Sequence, residues 1–92
     1  RGFELAQNTP NPFNPKTQIS FSLDRGGRVD LRVYDVAGRH VATLASGMMG
    51  AGTHTVAWDG RADDGGSVAS GVYRYVLETA AGRSSRSMVL LK

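Results

Sequence analysis

Ninety-two residues leave room for one hydrophobic core, since chains this short rarely hold two. Apolar residues at 40% and charged residues at 21% set intrinsic disorder aside, and the absence of cysteine leaves the core without a disulfide. The net charge of +3 comes from 11 basic and 8 acidic residues, with no basic run longer than a single Arg or Lys, which excludes the basic stripe of a nucleic-acid binder, and no window reaches the roughly 18 apolar residues of a membrane span.

The chain opens Arg1-Gly2-Phe3-Glu4, without an initiator Met or a signal-peptide pattern, which reads as a piece of a longer protein, and a short strand is expected near Phe3 to Ala6. Residues 7–16, QNTPNPFNPK, form a proline-rich lead-in. Pro10, Pro12 and Pro15 remove three backbone donors, so no ladder strand runs through it. Two roles suit this segment: a stiff, polyproline-like boundary to a preceding domain, or a cap on the end of the core. Residues 17–23 then alternate, with Ile19, Phe21 and Leu23 on one face and Gln18, Ser20 and Ser22 on the other, the period of a half-buried strand.

After a turn at Asp24 to Gly27, residues 28–36 place Val29, Leu31 and Val33 on one face and Arg28, Asp30, Arg32 and Tyr34 on the other. Ala37-Gly38 breaks the run and 39–45 returns as the second arm of a hairpin. Residues 47–52, GMMGAG, read as a connector, and 53–59 carries His54, Val56 and Trp58 on one face. A long polar loop covers Gly60 to Gly71. Residues 71–80 group Tyr73, Tyr75 and Leu77, Ala81-Gly82 turns the chain, and 83–92 closes it. Six strands with a short seventh, and no stretch of helical period, predict an all-β fold. The expected architecture is an immunoglobulin-like (fibronectin-type) antiparallel β-sandwich of about seven strands, with Trp58, Tyr73, Tyr75, Phe21, Leu31 and Val33 in its core.

Catalysis finds little footing. His40 and His54 lie near no nucleophile motif, Ser67 and Ser70 lack the G-x-S-x-G elbow, and Gly65-Gly66 is not followed by the GK[ST] of a phosphate loop. No catalytic residue, cofactor or small-molecule substrate is expected. The loop at 59–66 is where a hard cation would bind if one did, through Asp59, Asp63 and Asp64. The competing reading is that its carboxylates accept nearby backbone N–H groups and shape the turn, and no metal ligands are assigned. Trp58, Tyr73 and Tyr75 are spaced as core aromatics rather than as a sugar platform. The last ten residues bracket the apolar run Met88-Val89-Leu90-Leu91 with Arg83, Arg86 and Lys92, which fits an edge strand guarded by charge or a strand presented to a receptor.

The residues carry a resemblance. Pro10-Asn11-Pro12-Phe13-Asn14-Pro15, Val33-Tyr34-Asp35, Gly38-Arg39, Ala51-Gly52-Thr53-His54, Trp58-Asp59-Gly60, Gly71-Val72-Tyr73-Arg74-Tyr75 and Met88-Val89-Leu90-Leu91-Lys92 follow one another in order over residues 4–92. This succession resembles the C-terminal sorting domain of the bacterial type IX secretion system and, equally, the immunoglobulin-like domain of the flagellar hook-capping protein. Where Thr9 stands that family has an aromatic residue, a departure that bears on the packing of the lead-in. The resemblance implies a C-terminal module of a larger exported protein, secreted or held at the cell surface after passage through the periplasm. Its implied partners are the outer-membrane secretion machinery and an N-terminal passenger domain, with Met88, Val89, Leu90, Leu91 and Lys92 meeting the receptor. The hook-cap likeness implies instead a passive spacer or subunit-interaction module.

Overall fold

The structure, a computed structural model, describes residues 2–92. Seven strands follow in chain order: β1 (Phe3–Leu5), β2 (Thr17–Leu23), β3 (Gly27–Tyr34), β4 (His40–Met49), β5 (Gly52–Trp58), β6 (Gly71–Thr79) and β7 (Gly82–Leu90). They form a three-stranded sheet in the order β1-β2-β5 and a four-stranded sheet in the order β4-β3-β6-β7, every pairing antiparallel. The two sheets face each other as the expected immunoglobulin-like sandwich. Among the described residues, no helix is long and apolar enough to cross a membrane.

The alternation of the sequence becomes the sandwich interior. Ile19, Phe21 and Leu23 of β2 face Val29, Leu31 and Val33 of β3, with Tyr73, Tyr75 and Leu77 of β6 alongside, and all nine are buried. Trp58 is buried as well, which removes it, Tyr73 and Tyr75 from any exposed aromatic platform. Burying an aromatic side chain removes about 150–250 Å² from water, so these rings carry much of the hydrophobic stabilisation of a small core.

Three stretches depart from the sequence reading. β4 continues through Gly47 to Met49, and only residues 50–51 turn the chain, so residues 47–52 are not one connector. Gly47 lies opposite Val29 with φ +128°, a backbone conformation that an L side chain rarely adopts, and this makes it a strand glycine rather than a turn glycine. The run at 28–36 stops at Tyr34. There the Asp35 carboxylate accepts the N–H groups of Ala37 and Arg39 and closes the turn with its own side chain. Finally, β7 ends at Leu90 rather than at Lys92, because its ladder partner β6 begins at Gly71, opposite Leu90, and the Lys92 N–H donates to Ser70 Oγ instead.

Candidate functional site: the terminal strand and its proline cap

Three sequence-distant segments meet at one end of the sandwich. Trp58, the last residue of β5, donates its Nε1–H to the Arg61 carbonyl at 2.9 Å, which fixes the ring and the turn after it together. The ring packs between Phe13, with centroids 5.8 Å apart, and Tyr73, edge-on at 5.5 Å. Gly60 follows with φ +74°, and a Cβ there would lie 3.3 Å from the Pro15 carbonyl oxygen and 3.5 Å from a Leu90 methyl. Glycine is therefore required for conformation and for clearance. The P-N-P-F-N-P, W-D-G and M-V-L-L-K motifs are thus three walls of one packed corner.

The proline segment is tied down by buried polar contacts. Its Thr9-Pro10, Asn11-Pro12 and Asn14-Pro15 bonds are cis. The Tyr75 hydroxyl donates to the Ala6 carbonyl at 2.7 Å and accepts the Asn8 N–H at 2.8 Å, linking β6 of one sheet to the strand leaving the other. Asn8 and Thr17, both buried, satisfy each other and the Pro10 carbonyl. Among the described residues no buried side-chain polar atom lacks a partner. Thr9 is exposed and exchanges two backbone hydrogen bonds with Gln18. Of the two roles open to this segment, the structure displays the cap.

That cap decides what the terminal strand offers a partner. Met88 and Leu90 are fully buried, Val89 is half-buried, Leu91 is 52% exposed and Lys92 is exposed. The Val89 carbonyl accepts the Phe13 N–H and the Leu91 N–H donates to the Phe13 carbonyl, each at 2.9 Å. The Val89 N–H donates to Asn11 Oδ1 at 2.9 Å, and Gln7 Nε2 donates to the Ser87 carbonyl at 2.8 Å. The outward N–H and C=O of Val89 and the N–H of Leu91 are therefore already engaged within the chain. In the sequence Asn11 and Phe13 stand out only as members of the P-N-P-F-N-P motif, and Gln7 carries no local signal of its contact.

The acidic loop is built from internal contacts. Asp63 accepts the Thr43 N–H at 3.0 Å and donates its own N–H to the Val41 carbonyl, which covers the outer edge of β4. Asp64 accepts the Gly66 N–H at 2.9 Å, and Asp59 stands 3.9 Å from the Arg61 guanidinium. Among the described residues, no three His, Cys, Asp or Glu side chains converge as a metal site. His40 hydrogen-bonds Thr43 at the rim, and His54 lies against the ring of Phe21. Burial raises the Tyr73 and Tyr75 hydroxyls above the ordinary tyrosine range, with the Asn8 N–H and Arg86 partly opposing this at Tyr75. The Arg39 N–H is the main cause holding the Asp35 carboxyl below its usual value, aided by the Arg39 guanidinium.

Residues 8–83 match the FlgD Ig-like domain family. The chain belongs to that family. Basal-body rod modification protein FlgD of Salmonella typhimurium is 38% identical over 55 residues, 60% of this chain and 24% of that protein. The sandwich superposes with TM-score 0.73 on dimeric latent PorU of Porphyromonas gingivalis, at 19% identity, covering 97% of this chain and 9% of PorU. It superposes with TM-score 0.65 on PorZ, a surface component of the type-IX secretion system of the same organism, at 24% identity, covering 94% of this chain and 11% of PorZ. At these identities the two structures establish a shared fold. The domain spans about a quarter of the FlgD length and about a tenth of PorU or PorZ.

Proposed function

We propose that this domain is a non-catalytic C-terminal sorting and surface-attachment module of a larger exported bacterial protein, secreted or displayed at the cell surface. The observation that carries the reading is the way residues 88–92 are presented. Met88 and Leu90 anchor the strand in the core, Phe13 and Asn11 hold its edge, and Leu91 and Lys92 emerge from this rigid corner into solvent. A signal read by machinery gains from such anchoring, because a pre-ordered recognition element loses less conformational entropy on binding. In this reading Val89, Leu91 and Lys92 face the outer-membrane machinery, Met88 and Leu90 position them, and the passenger precedes the domain. The likeness in fold to PorU and PorZ supports it.

The family match and the FlgD relative favour a second reading, an immunoglobulin-like spacer or subunit-interaction module as in the flagellar hook cap. Residues 1–92 fused behind an inert reporter, in a host carrying a type IX secretion system, separate the two. Under the first reading the reporter reaches the surface or the medium. Retention in the periplasm, with the domain shown folded by circular dichroism, supports the spacer reading instead.

A further inference from the structure

The outer edge of β7 is covered only in its second half. β7 lies at the margin of its sheet, and its ladder with β6 runs in unbroken register from Gly82 to Leu90. The outward-facing main-chain groups are those of odd-numbered residues, as the bonds made at Ser87, Val89 and Leu91 establish. By the same alternation the N–H and C=O groups of Arg83 and Ser85 point away from the sheet, and among the described residues no group hydrogen-bonds them, with β1 passing nearby through Leu5, which accepts the Arg86 Nε–H, and Phe3, beside Gly82.

Beside this edge positive charge is in excess on β6 and β7, where Arg74 and Arg83 share the outer face with the single carboxylate of Glu78, opposite Arg83 in the ladder. Arg74 of β6 and Arg83 of β7 stand on the outer face of the four-stranded sheet, above Val76, and line two adjoining grooves of about 510 and 280 Å³ with Ser85 and Ser87. Arg28 and Arg32 share Asp30, and Arg39 pairs with Asp35, whereas neither Arg74 nor Arg83 forms an ion pair among the described residues. The remaining edges lack this combination: β1 has three residues, β5 carries no Arg, Lys, Asp or Glu, and Asp63 covers β4 at 41–43.

We propose that the open half of β7, Arg83 to Arg86, accepts an extended acidic segment of a partner protein as an added strand, with carboxylates at alternate positions meeting Arg83 and Arg74. Main-chain pairing supplies the affinity of strand addition, and side chains on one face supply its selectivity. The same arginines disfavour pairing with a second copy of this edge, which would bring like charges together. The inference holds under either reading of the domain's role.

The test uses the 92-residue chain and a synthetic ten-residue peptide of alternating Glu and Thr, with titration calorimetry at low salt and amide exchange followed by NMR. Saturable binding is expected, with the Arg83 and Ser85 amides gaining protection. Arg74→Glu combined with Arg83→Glu should weaken binding at least about tenfold, a change in sign at two exposed charges facing the ligand. Ser85→Pro keeps the charge and removes an N–H that makes no bond to β6, and it should also weaken binding; if it lowers the melting temperature markedly, the arginine pair decides alone. A Lys-Thr peptide should not bind. The proposal is overturned by no binding at millimolar peptide, or by equal binding of an acidic peptide with proline at every second position. Protection confined to another edge, or concentration-dependent protection at 83–85 without peptide, overturns it as well.

Discussion

The two halves of β7 share one strand and one ladder yet are built for different ends. From Ser87 to Leu90 the inward side chains are buried, and the outer edge is held by Gln7, Asn11 and Phe13. From Gly82 to Arg86 the residues are Gly, Arg, Ser, Ser and Arg, and they meet the facing sheet through the Arg86 Nε–H bond to the Leu5 carbonyl at 2.7 Å, with Gly82 beside Phe3. The capped half therefore contributes to the core and the open half to the surface. A residue in the first should be costly to change and a residue in the second cheap, so stability measurements bear directly on the contrast.

The largest effect is expected where the capped half meets the core. Trp58→Ala removes the ring that Phe13 and Tyr73 pack on, and truncating a buried aromatic costs about 3–5 kcal/mol. Against the roughly 5–15 kcal/mol of a whole domain, that should leave the chain unfolded or nearly so in a thermal melt. A variant melting within a degree or two of the parent would mean that the corner is not a unit of the core.

Next comes the polar tie. Tyr75→Phe keeps the ring and deletes the hydroxyl that serves Ala6 and Asn8, leaving a buried N–H unpaired at a cost of about 1–3 kcal/mol. A fall in melting temperature of at least about 4 °C is expected for a domain of this size. The same hydroxyl predicts an alkaline limb. Its folded pKa is raised by burial, so its contribution is fully present below the unfolded value of about 10 and is lost as pH rises through the folded one. Tyr73 shifts in the same direction, so Tyr75→Phe should shorten this limb without abolishing it. Smaller still is Asn11→Ala, which removes the acceptor of the Val89 N–H and should cost about 0.5–1.5 kcal/mol by denaturant titration. In the open half, Arg83→Ala should change stability by no more than about 0.5 kcal/mol, since it forms no ion pair among the described residues.

What the sequence disclosed follows the same division. Strict alternation at Ile19, Phe21 and Leu23 and at Val29, Leu31 and Val33 reveals inward faces, because a strand's period is local and visible in seven residues. The glycines at 47 to 52 have the local pattern of a connector, yet Gly47 serves inside a strand, where its partner Val29 lies outside any local window. The cap was only half legible. Prolines announce that no ladder runs through 7–16, but Gln7 to Ser87 and Asn11 to Val89 are contacts across nearly the whole chain, which no local pattern encodes. Three motifs of the resemblance, P-N-P-F-N-P, W-D-G and M-V-L-L-K, meet at one corner, a physical reason for them to occur together.

The smallest expected change in stability is at Lys92, and it is where the sorting and spacer readings part. The backbone N–H of Lys92 donates to Ser70 Oγ at 2.9 Å, a bond that survives substitution of the side chain, and the residue is exposed. Lys92→Ala should therefore leave the melting curve in place, within the roughly 0.5 kcal/mol that exposed charges contribute. If the secretion machinery reads this corner, the cation is part of what it captures, and losing it should slow export of a fused reporter while the fold is unchanged. The paired control is Leu90→Ala. It empties a buried site, costs about 2–5 kcal/mol and should reduce export only through unfolding. Parent-level export by Lys92→Ala, beside lost export by Leu90→Ala, would show that the machinery requires a folded corner but does not read its exposed cation.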